Sequence, residues 1–216
     1  MRRRFNVTGV CNPQKHYMVR LDDRLKKIRA DYVEEASYFV INRGRKYRKT
    51  TTLAALERYL KDDYLVLSVD FQEIETAKFA DAVLFSQAFA KKLSRAFRFA
   101  EAKDKDKLLE LLQDFMKESS NNGLSELFDC LSILCERSLR PIVLMIDEVD
   151  SASNNQVFID FLAQLRGYYL KRDRIPIFHS VILAGVYNIK NLKLKLRPES
   201  EYHYNSPWNI AAPFEI

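Results

Sequence analysis

The chain has 216 residues, of which 47% are hydrophobic and 30% are charged, a mixture typical of one packed domain rather than of a disordered segment. Its formal net charge of +6 would suit a polyanionic partner, but the basic residues are spread along the whole sequence, as on ordinary solvated faces. No apolar run reaches the roughly 20 residues of a membrane span, and no apolar signal core follows the basic start, so we expect a cytoplasmic protein. The cysteines lack metal-ligand spacing and are expected to be free or buried thiols: Cys11, Cys130 and Cys135.

The first part of the chain predicts two strands and two helices. Apolar residues at spacings of three and four over residues 21–36, behind two acidic residues, predict an amphipathic helix. Residues 38–41 predict a short strand and residues 49–60 a helix. Residues 64–71 are apolar almost throughout, which predicts a strand that is buried on both faces.

The second part predicts a long helical region followed by two more strands. Apolar periodicity over residues 77–137 indicates several helices, separated by "EAKDKDK" and by "SSNNG". Residues 141–150 predict a strand that ends abruptly in acidic residues, 156–171 a helix and 179–185 a further buried strand. The tail over 186–216 predicts either a β-hairpin or an extended strap. Strands that alternate with helices predict a three-layer α/β fold with a mainly parallel sheet, in a single domain over residues 1–216.

The segment between the first strand and the next helix is a candidate phosphate-binding loop. Against the pattern G-x-x-x-x-G-K-[ST], Lys49 and Thr50 fall in place, whereas Arg43 and Arg48 occupy the glycine positions. A strand, a loop and a helix N-terminus in this order direct backbone N–H groups at one point, which favours phosphate. Lys49 would then reach the β- and γ-phosphates, and the Thr50 hydroxyl would bind Mg²⁺. The alternative is a basic turn before a Thr-capped helix. The predicted nucleotide-binding residues are Arg43, Gly44, Arg45, Lys46, Tyr47, Arg48, Lys49, Thr50 and Thr51.

The strand "IVLMIDE" ends in two adjacent carboxylates. This arrangement allows Asp147 to hold a Mg²⁺ shell while Glu148 orients and deprotonates a water molecule. The same residues could instead form a buried strand followed by an acidic helix cap. Both motifs follow predicted buried strands in the expected order, and ligands of such sheets bind at the carboxyl ends of the strands. Their combination therefore favours a nucleotide site.

At these residues the sequence resembles P-loop NTPases of the additional-strand, catalytic-glutamate division, and within it the bacterial AAA-like ATP-binding proteins. The resemblance covers nearly the whole length, from "FNVTGVCNPQKHYMV" through "FVINRGRKYRKTTTL", "VLSVDFQ", "VLMIDEVD" and "VILAGVYNIKNLKLKL" to "YNSPWNIA". It implies the strand order 5-1-4-3-2 with helices on both faces, and ATP with Mg²⁺ as ligands. It also implies that Lys49 and Glu148 are catalytic and that Thr50 and Asp147 hold the metal. Asn188 would sense the γ-phosphate, unless it caps a turn.

The sequence departs from the family pattern at two points. Arg48 stands where the family has glycine, and its side chain would crowd a loop that must approach phosphate closely. We therefore expect weak, partner-dependent or lost ATP hydrolysis. By the same analogy, residues 1–37 form an N-terminal segment and helix, 38–186 the core and 187–216 a tail, and we expect the chain to lack the family's C-terminal helical lid.

Three functions remain open at this point. The leading hypothesis is an ATP-binding domain with weak hydrolysis. A second is a degenerate, non-catalytic fold that acts as a protein-interaction module, with a protein partner or another copy of the chain. A third is a nucleic-acid motor fragment, which the basic charge permits but which lacks an aromatic-interleaved basic groove. Three weaker candidates carry structural alternatives: His16 could stack on a base, Asp70 could lie near the attacking water, and Trp208 is expected to anchor the tail.

Overall fold

A five-stranded parallel sheet forms the centre of the fold. The computed structural model describes residues 4–6, 11, 14–17, 20–42, 49–118, 122–152, 154–185 and 212–214. The strands lie in the order β5-β1-β4-β3-β2, and each adjacent pair is parallel, so the three-layer α/β fold and its 5-1-4-3-2 order are confirmed. Their bounds are β1 Tyr38–Asn42, β2 Leu65–Asp70, β3 Ile142–Asp147, β4 Ser180–Gly185 and β5 Ala212–Phe214.

The helices of the described residues lie before and between these strands. Their bounds are α1 Asp22–Ile28, α2 Lys49–Leu60, α3 Ala82–Phe99, α4 Lys105–Lys117, α5 Leu124–Arg137 and α6 Gln156–Tyr169. The helix predicted over residues 21–36 is an α-helix only as far as Ile28, and a π-helical turn continues it over Arg29–Val33. Short 3-10 turns occupy Phe71–Glu73, Thr76–Phe79 and Val149–Ala152. In the part of the chain that the structure describes, no helix combines the length and apolar character needed to cross a membrane.

Both faces of the sheet are buried, as the apolar strands predict. On β3, Leu144 and Ile146 point into the larger core, which α3, α4, α5 and α6 cover. Val143 and Met145 point to the opposite face, which α1 and α2 cover. Successive side chains of a strand alternate between faces, so a strand covered by helices on both sides must be apolar throughout.

The tail is described only at its last strand. Residues 212–214 form β5, which pairs in parallel with β1 from Phe39↔Ala212 to Ile41↔Phe214. The segment "NLKLKL" and Trp208 lie outside the described residues, so the choice between a hairpin and a strap for residues 186–211 stays open.

A cluster of phenylalanine rings fills the larger core around Phe71, the residue that follows β2. The Phe71 ring is fully buried and meets Phe85, Phe89 and Phe158 at centroid distances of 6.1, 6.1 and 5.6 Å. The interplanar angles are 80°, 87° and 72°, the edge-to-face geometry that aromatic quadrupoles favour. Phe71 therefore fixes the carboxyl end of β2 against α3 and α6.

Helix α3 begins at a side-chain cap. Asp81 is its N-cap residue, and Asp81 Oδ1 accepts hydrogen bonds from the backbone N–H groups of Val83 at 2.8 Å and Leu84 at 3.1 Å. This cap satisfies two N–H groups that the first helical turn would leave unpaired. It fixes the start of α3 at residue 82, whereas the sequence placed the start of the helical region near residue 77.

We expect Phe71→Ala to lower the free energy of unfolding by about 3–5 kcal/mol, because it removes a buried ring and leaves a cavity among rings held by other elements. Phe99→Ala is the matched control: Phe99 is 88% exposed, and the change should be within about 0.5 kcal/mol. Urea unfolding followed by circular dichroism measures both. Equal destabilisation by the two substitutions would contradict the central position of Phe71.

Candidate functional site

The carboxyl ends of the parallel strands meet at one edge of the sheet. Asp70 and Asp147, the last residues of β2 and β3, lie opposite each other in register, as do Asn42 of β1 and Gly185 of β4. In an open α/β sheet this edge is where ligands bind. The predicted acidic residues and the start of α2 belong to this edge.

A hydrogen bond connects the two predicted motifs. Thr50 Oγ1, in the first turn of α2, donates to Asp147 Oδ2 at 2.8 Å. Because β4 lies between β1 and β3, the strands that carry these motifs are about 10 Å apart, and the first turn of α2 must reach across the end of β4. The structure thus brings Thr50 and Asp147 together, as the sequence predicted.

Lys49 is a buried cation. The residue is only 7% exposed, and among the described residues its Nζ has no hydrogen-bond partner. Burying an ammonium group without a partner costs free energy, because its hydration is lost and nothing replaces it. An anionic group next to the Thr50–Asp147 pair would remove this cost.

Asp147 uses its two oxygens differently. Asp147 Oδ2 accepts from Thr50, and Asp147 Oδ1 accepts from the backbone N–H of Glu148 at 2.9 Å. The residue is 9% exposed, so Asp147 is largely shielded from solvent at the end of β3. The second hydrogen bond fixes the carboxylate plane relative to Glu148.

Glu148 adopts a backbone conformation that is unusual for its residue type. Its φ angle is +53°, in the left-handed region, where a side chain with a Cβ is strained. The Glu148 carbonyl accepts from the Ser151 backbone N–H at 3.0 Å and from Ser151 Oγ at 2.8 Å, and this turn holds the conformation. Strained residues that their surroundings hold in place concentrate at functional sites. The Glu148 side chain is partly exposed at the end of β3.

Asp70 belongs to the same acidic edge. Burial is the main cause that raises the pKa of its carboxyl, and the negative charge of Asp147 raises it too. The Gln72 backbone N–H, which donates to Asp70 Oδ1 at 2.8 Å, acts in the opposite direction. Asp70 therefore caps the turn that follows β2, as the structural alternative predicted, and its proposed place near the attacking water stays a prediction.

Gly185 and Asp150 have no role predicted from the sequence, and both lie at the same edge. A Cβ on Gly185 would lie 2.8 Å from Val149 Cγ2 and 3.0 Å from each carboxylate oxygen of Asp150. The end of β4 can thus approach the acidic turn only because residue 185 has no side chain. The sequence signal was the glycine that ends the apolar run "HSVILAG", but its partner could not be identified from local pattern.

The segment before α1 contacts the start of α2. The Cys11 backbone N–H donates to Thr51 Oγ1 at 3.3 Å, and Thr51 is buried in the first turn of the helix. His16 pairs by an isolated parallel bridge with Arg4 and is partly exposed. Its proposed stacking on a base stays a prediction.

The remaining predicted residues lie outside the described residues. These are Arg43, Gly44, Arg45, Lys46, Tyr47, Arg48 and Asn188. The thiols are also separate from the site: burial raises the pKa of Cys130 to about 11 and raises that of Cys135 as well, so both stay protonated at neutral pH.

The donor set at the edge fits a magnesium ion. Within the described ranges, no three His, Cys, Asp or Glu side chains converge on one point, so a cation held entirely by such protein ligands is not supported. Mg²⁺ instead keeps several waters and takes one or two protein oxygens together with substrate phosphates. The Thr50 hydroxyl and the Asp147 carboxylate form a pair of this kind.

Comparisons with known proteins place the chain in a family. The AAA-like domain family profile matches residues 15–213, which is nearly the whole chain. No curated protein matches the sequence.

Solved structures show only a distant likeness. The Aeropyrum pernix ORC1 protein, solved in complex with DNA, is 12% identical, with a TM-score of 0.49 over 92% of this chain and 46% of that one, so this chain spans about half its length. A chain of Drosophila ORC bound to DNA is 16% identical, with a TM-score of 0.45 over 90% of this chain and 87% of that one. The family assignment depends on the sequence profile, which covers both the Lys49–Thr50 and the Asp147–Glu148 motifs. The chain belongs to the AAA-like domain family.

Proposed function

We propose that this domain binds ATP with Mg²⁺ at the carboxyl edge of its sheet and that its hydrolysis of ATP is weak or depends on a partner. The observation that carries the proposal is the buried Lys49 ammonium, which has no partner among the described residues and belongs to the same first turn of α2 as Thr50, the residue that donates to Asp147. A buried cation and a hydroxyl–carboxylate pair at one helix N-terminus are suited to a polyphosphate with its metal ion. AAA-like membership supports the same reading.

The phosphates would contact two elements of the chain. Lys49 would donate to the β- and γ-phosphate oxygens, and the N-terminus of α2 adds unpaired N–H groups and the positive end of a 12-residue helix dipole. The loop over residues 43–48 would supply further backbone N–H groups. On binding, the buried Lys49 ammonium would thus gain a charge-assisted hydrogen bond to phosphate, which offsets the cost of its burial.

The metal site would use Thr50 and Asp147. A bound Mg²⁺ would neutralise negative charge that develops on the phosphates. In the structure Thr50 Oγ1 donates a hydrogen bond to Asp147 Oδ2. When the metal binds, these two oxygens would contact the cation instead of each other. Asp147 would remain oriented through its other oxygen, which the Glu148 N–H holds.

Glu148 would accept the proton of the attacking water. Its backbone has a φ of +53°, and the two hydrogen bonds from Ser151 to its carbonyl hold that conformation. Asp70, whose carboxyl has a raised pKa, lies on the neighbouring strand at the same level as Asp147 and is a candidate for a second contact to water. Asn188 remains the proposed γ-phosphate sensor.

Arg48 is the proposed reason for weak activity. The family glycine at this position permits a close backbone approach to phosphate, and an arginine places a Cβ and a long stem there. Its charge gives an attraction of about 1 kcal/mol at 4 Å in a wet site. Each misplaced N–H donor forfeits a hydrogen bond worth about 1 kcal/mol, and several donors are involved, so the steric effect outweighs the attraction.

We expect Lys49→Met to weaken ATP binding at least about tenfold while leaving the unliganded protein equally or more stable, because it removes a buried charge that has no partner among the described residues. A fluorescent ATP analogue measures the affinity, and thermal unfolding measures the stability. Lys107→Met, at an exposed position of α4, is the matched control and should change neither. A strong loss of unliganded stability would show that Lys49 has a structural partner instead.

We expect Glu148→Gln to preserve Mg-ATP binding and to reduce phosphate release about 10²-fold or more relative to the natural chain, since it removes a general base. Malachite-green detection of phosphate measures the rate. If the natural chain releases no more phosphate than Glu148→Gln does, with either protein saturated with Mg-ATP, the domain does not turn over. The non-catalytic interaction module would then be the better description.

We expect Arg48→Gly to strengthen binding of the fluorescent ATP analogue about five- to tenfold, corresponding to roughly 1 kcal/mol of restored loop contacts. Arg98→Gly is unsuitable as a control because it weakens a helix, so Arg98→Ala at that exposed position serves instead. Equal and tight binding by Arg48→Gly and the natural chain would contradict the inhibitory role of Arg48.

A further inference from the structure

A second cleft opens on the β2 side of the sheet. It has a volume of about 480 Å³ and lies between the turns that follow β2 and one face of α3. It begins at Glu73, three residues after Asp70, and contains none of the residues assigned to the nucleotide site. We name it the α3 cleft.

Cations outnumber carboxylates in the α3 cleft. Glu73 and Glu75 face four basic side chains: Lys78, Lys91, Lys92 and Arg95. Glu73 is already engaged, because it forms an ion pair with Lys92, and that hydrogen bond lowers the pKa of the Glu73 carboxyl, with a smaller contribution from the charge of Arg95. Among the described residues, Lys78 and Lys91 take part in no salt bridge. The cleft therefore carries an excess of positive charge.

The wall of the α3 cleft also holds a polar group that lacks an acceptor. Gln87 Nε2 is inaccessible to solvent and has no hydrogen-bond partner in the described part of the chain. The Lys92 side chain beside it is only 12% exposed, and its one carboxylate partner, Glu73, is 62% exposed. The buried amide donor and the four basic side chains therefore outnumber the two carboxylates that could accept from them. An anionic acceptor group would complete this donor-rich site.

The rest of the lining is aliphatic. Ile74, Leu84, Ala88 and Met116 contribute to the cleft, and Leu84 is 43% exposed although it lies on α3. Methionine adapts its shape to varied partners, and an exposed leucine beside it offers an apolar contact. No aromatic side chain of the described residues lines the cleft, so it offers no platform on which a nucleic-acid base could stack.

We propose that the α3 cleft is a docking site for an acidic peptide segment of a partner protein, in which a carboxylate is flanked by an aliphatic residue. The carboxylate would accept from the Gln87 amide and pair with Lys91 and Arg95. The aliphatic side chain would pack against Leu84 and Met116. Charge complementarity selects this occupant, and the mixed lining distinguishes a peptide side chain from a bare phosphate.

Fluorescence anisotropy with the full chain tests the proposal. The probe is the fluorescein-labelled peptide GELEELEG, and the comparison peptide GQLQQLQG has the same shape without charge. The cleft variant is Lys91→Glu with Arg95→Glu. The matched control is Arg98→Glu with Lys107→Glu, which changes the net charge equally at exposed positions that do not line the cleft. Binding of the fluorescent ATP analogue and thermal unfolding verify that each variant is folded.

The proposal predicts that the acidic peptide binds and the glutamine peptide does not, that the cleft variant loses at least about tenfold in affinity and that the control stays within about twofold. Gln87→Leu should weaken binding severalfold without destabilising the fold, since the donor it removes is unpaired. If the double charge reversal does not fold, Lys91→Gln with Arg95→Gln should still weaken binding. Equal affinity for the two peptides, equal losses in cleft and control variants, or an absence of peptide binding would overturn it. It would equally be overturned if a single-stranded oligonucleotide, and not the peptide, bound through Lys91 and Arg95.

Discussion

The hydrogen bond between Thr50 and Asp147 is the interaction on which the candidate site depends. Its two residues are 97 positions apart in the chain, and their strands are separated by β4. They meet because all the strands are parallel, which places every carboxyl end at one edge of the sheet. Because Gly185 has no side chain, the end of β4 packs closely against Val149 and Asp150. The first turn of α2 passes over this end of β4 to bring Thr50 to Asp147. The chemistry of the edge thus follows from the direction of the strands.

Three groups that are unfavourable for folding lie at this same edge. Lys49 is buried without a partner among the described residues, Glu148 has a φ of +53°, and Asp70 has a carboxyl whose pKa is raised by burial. Unfavourable groups also occur elsewhere among the described residues: Ala36 has a φ of +50°, and Gln87 Nε2 is buried without a hydrogen-bond partner. The carboxyl edge differs in that three such groups lie together there, and strained groups that the fold holds in place concentrate at functional sites.

Phe71 connects the two surfaces that carry proposals. It lies between Asp70, which belongs to the acidic edge, and Glu73, which lines the α3 cleft. Its ring is fixed by Phe85, Phe89 and Phe158, so both surfaces share one rigid support in the larger core. Because packed aromatic cores resist continuous deformation, a partner bound in the cleft would sit at a fixed position relative to the nucleotide edge. The domain would then present a nucleotide and a protein segment on adjoining faces.

Local pattern in the sequence predicted the strands β1 to β4 and the start of α2 and α6, and it named Lys49, Thr50, Asp147 and Glu148 as candidates, whose roles stay predictions. Burial imposes a periodicity on neighbouring residues, and the chemistry of phosphate and magnesium restricts which residue types can follow a strand. The strand order came from resemblance, and the coordinates agree with it. Only the tertiary structure revealed the π-helical turn after Ile28 and the approach of Gly185 to Asp150. The same holds for the burial of Lys49 Nζ and Gln87 Nε2 without a hydrogen-bond partner in the described ranges. Each of these features depends on which distant segments pack together. Contacts between residues far apart in the chain produce no periodic pattern in the local sequence, so they could not be predicted from it.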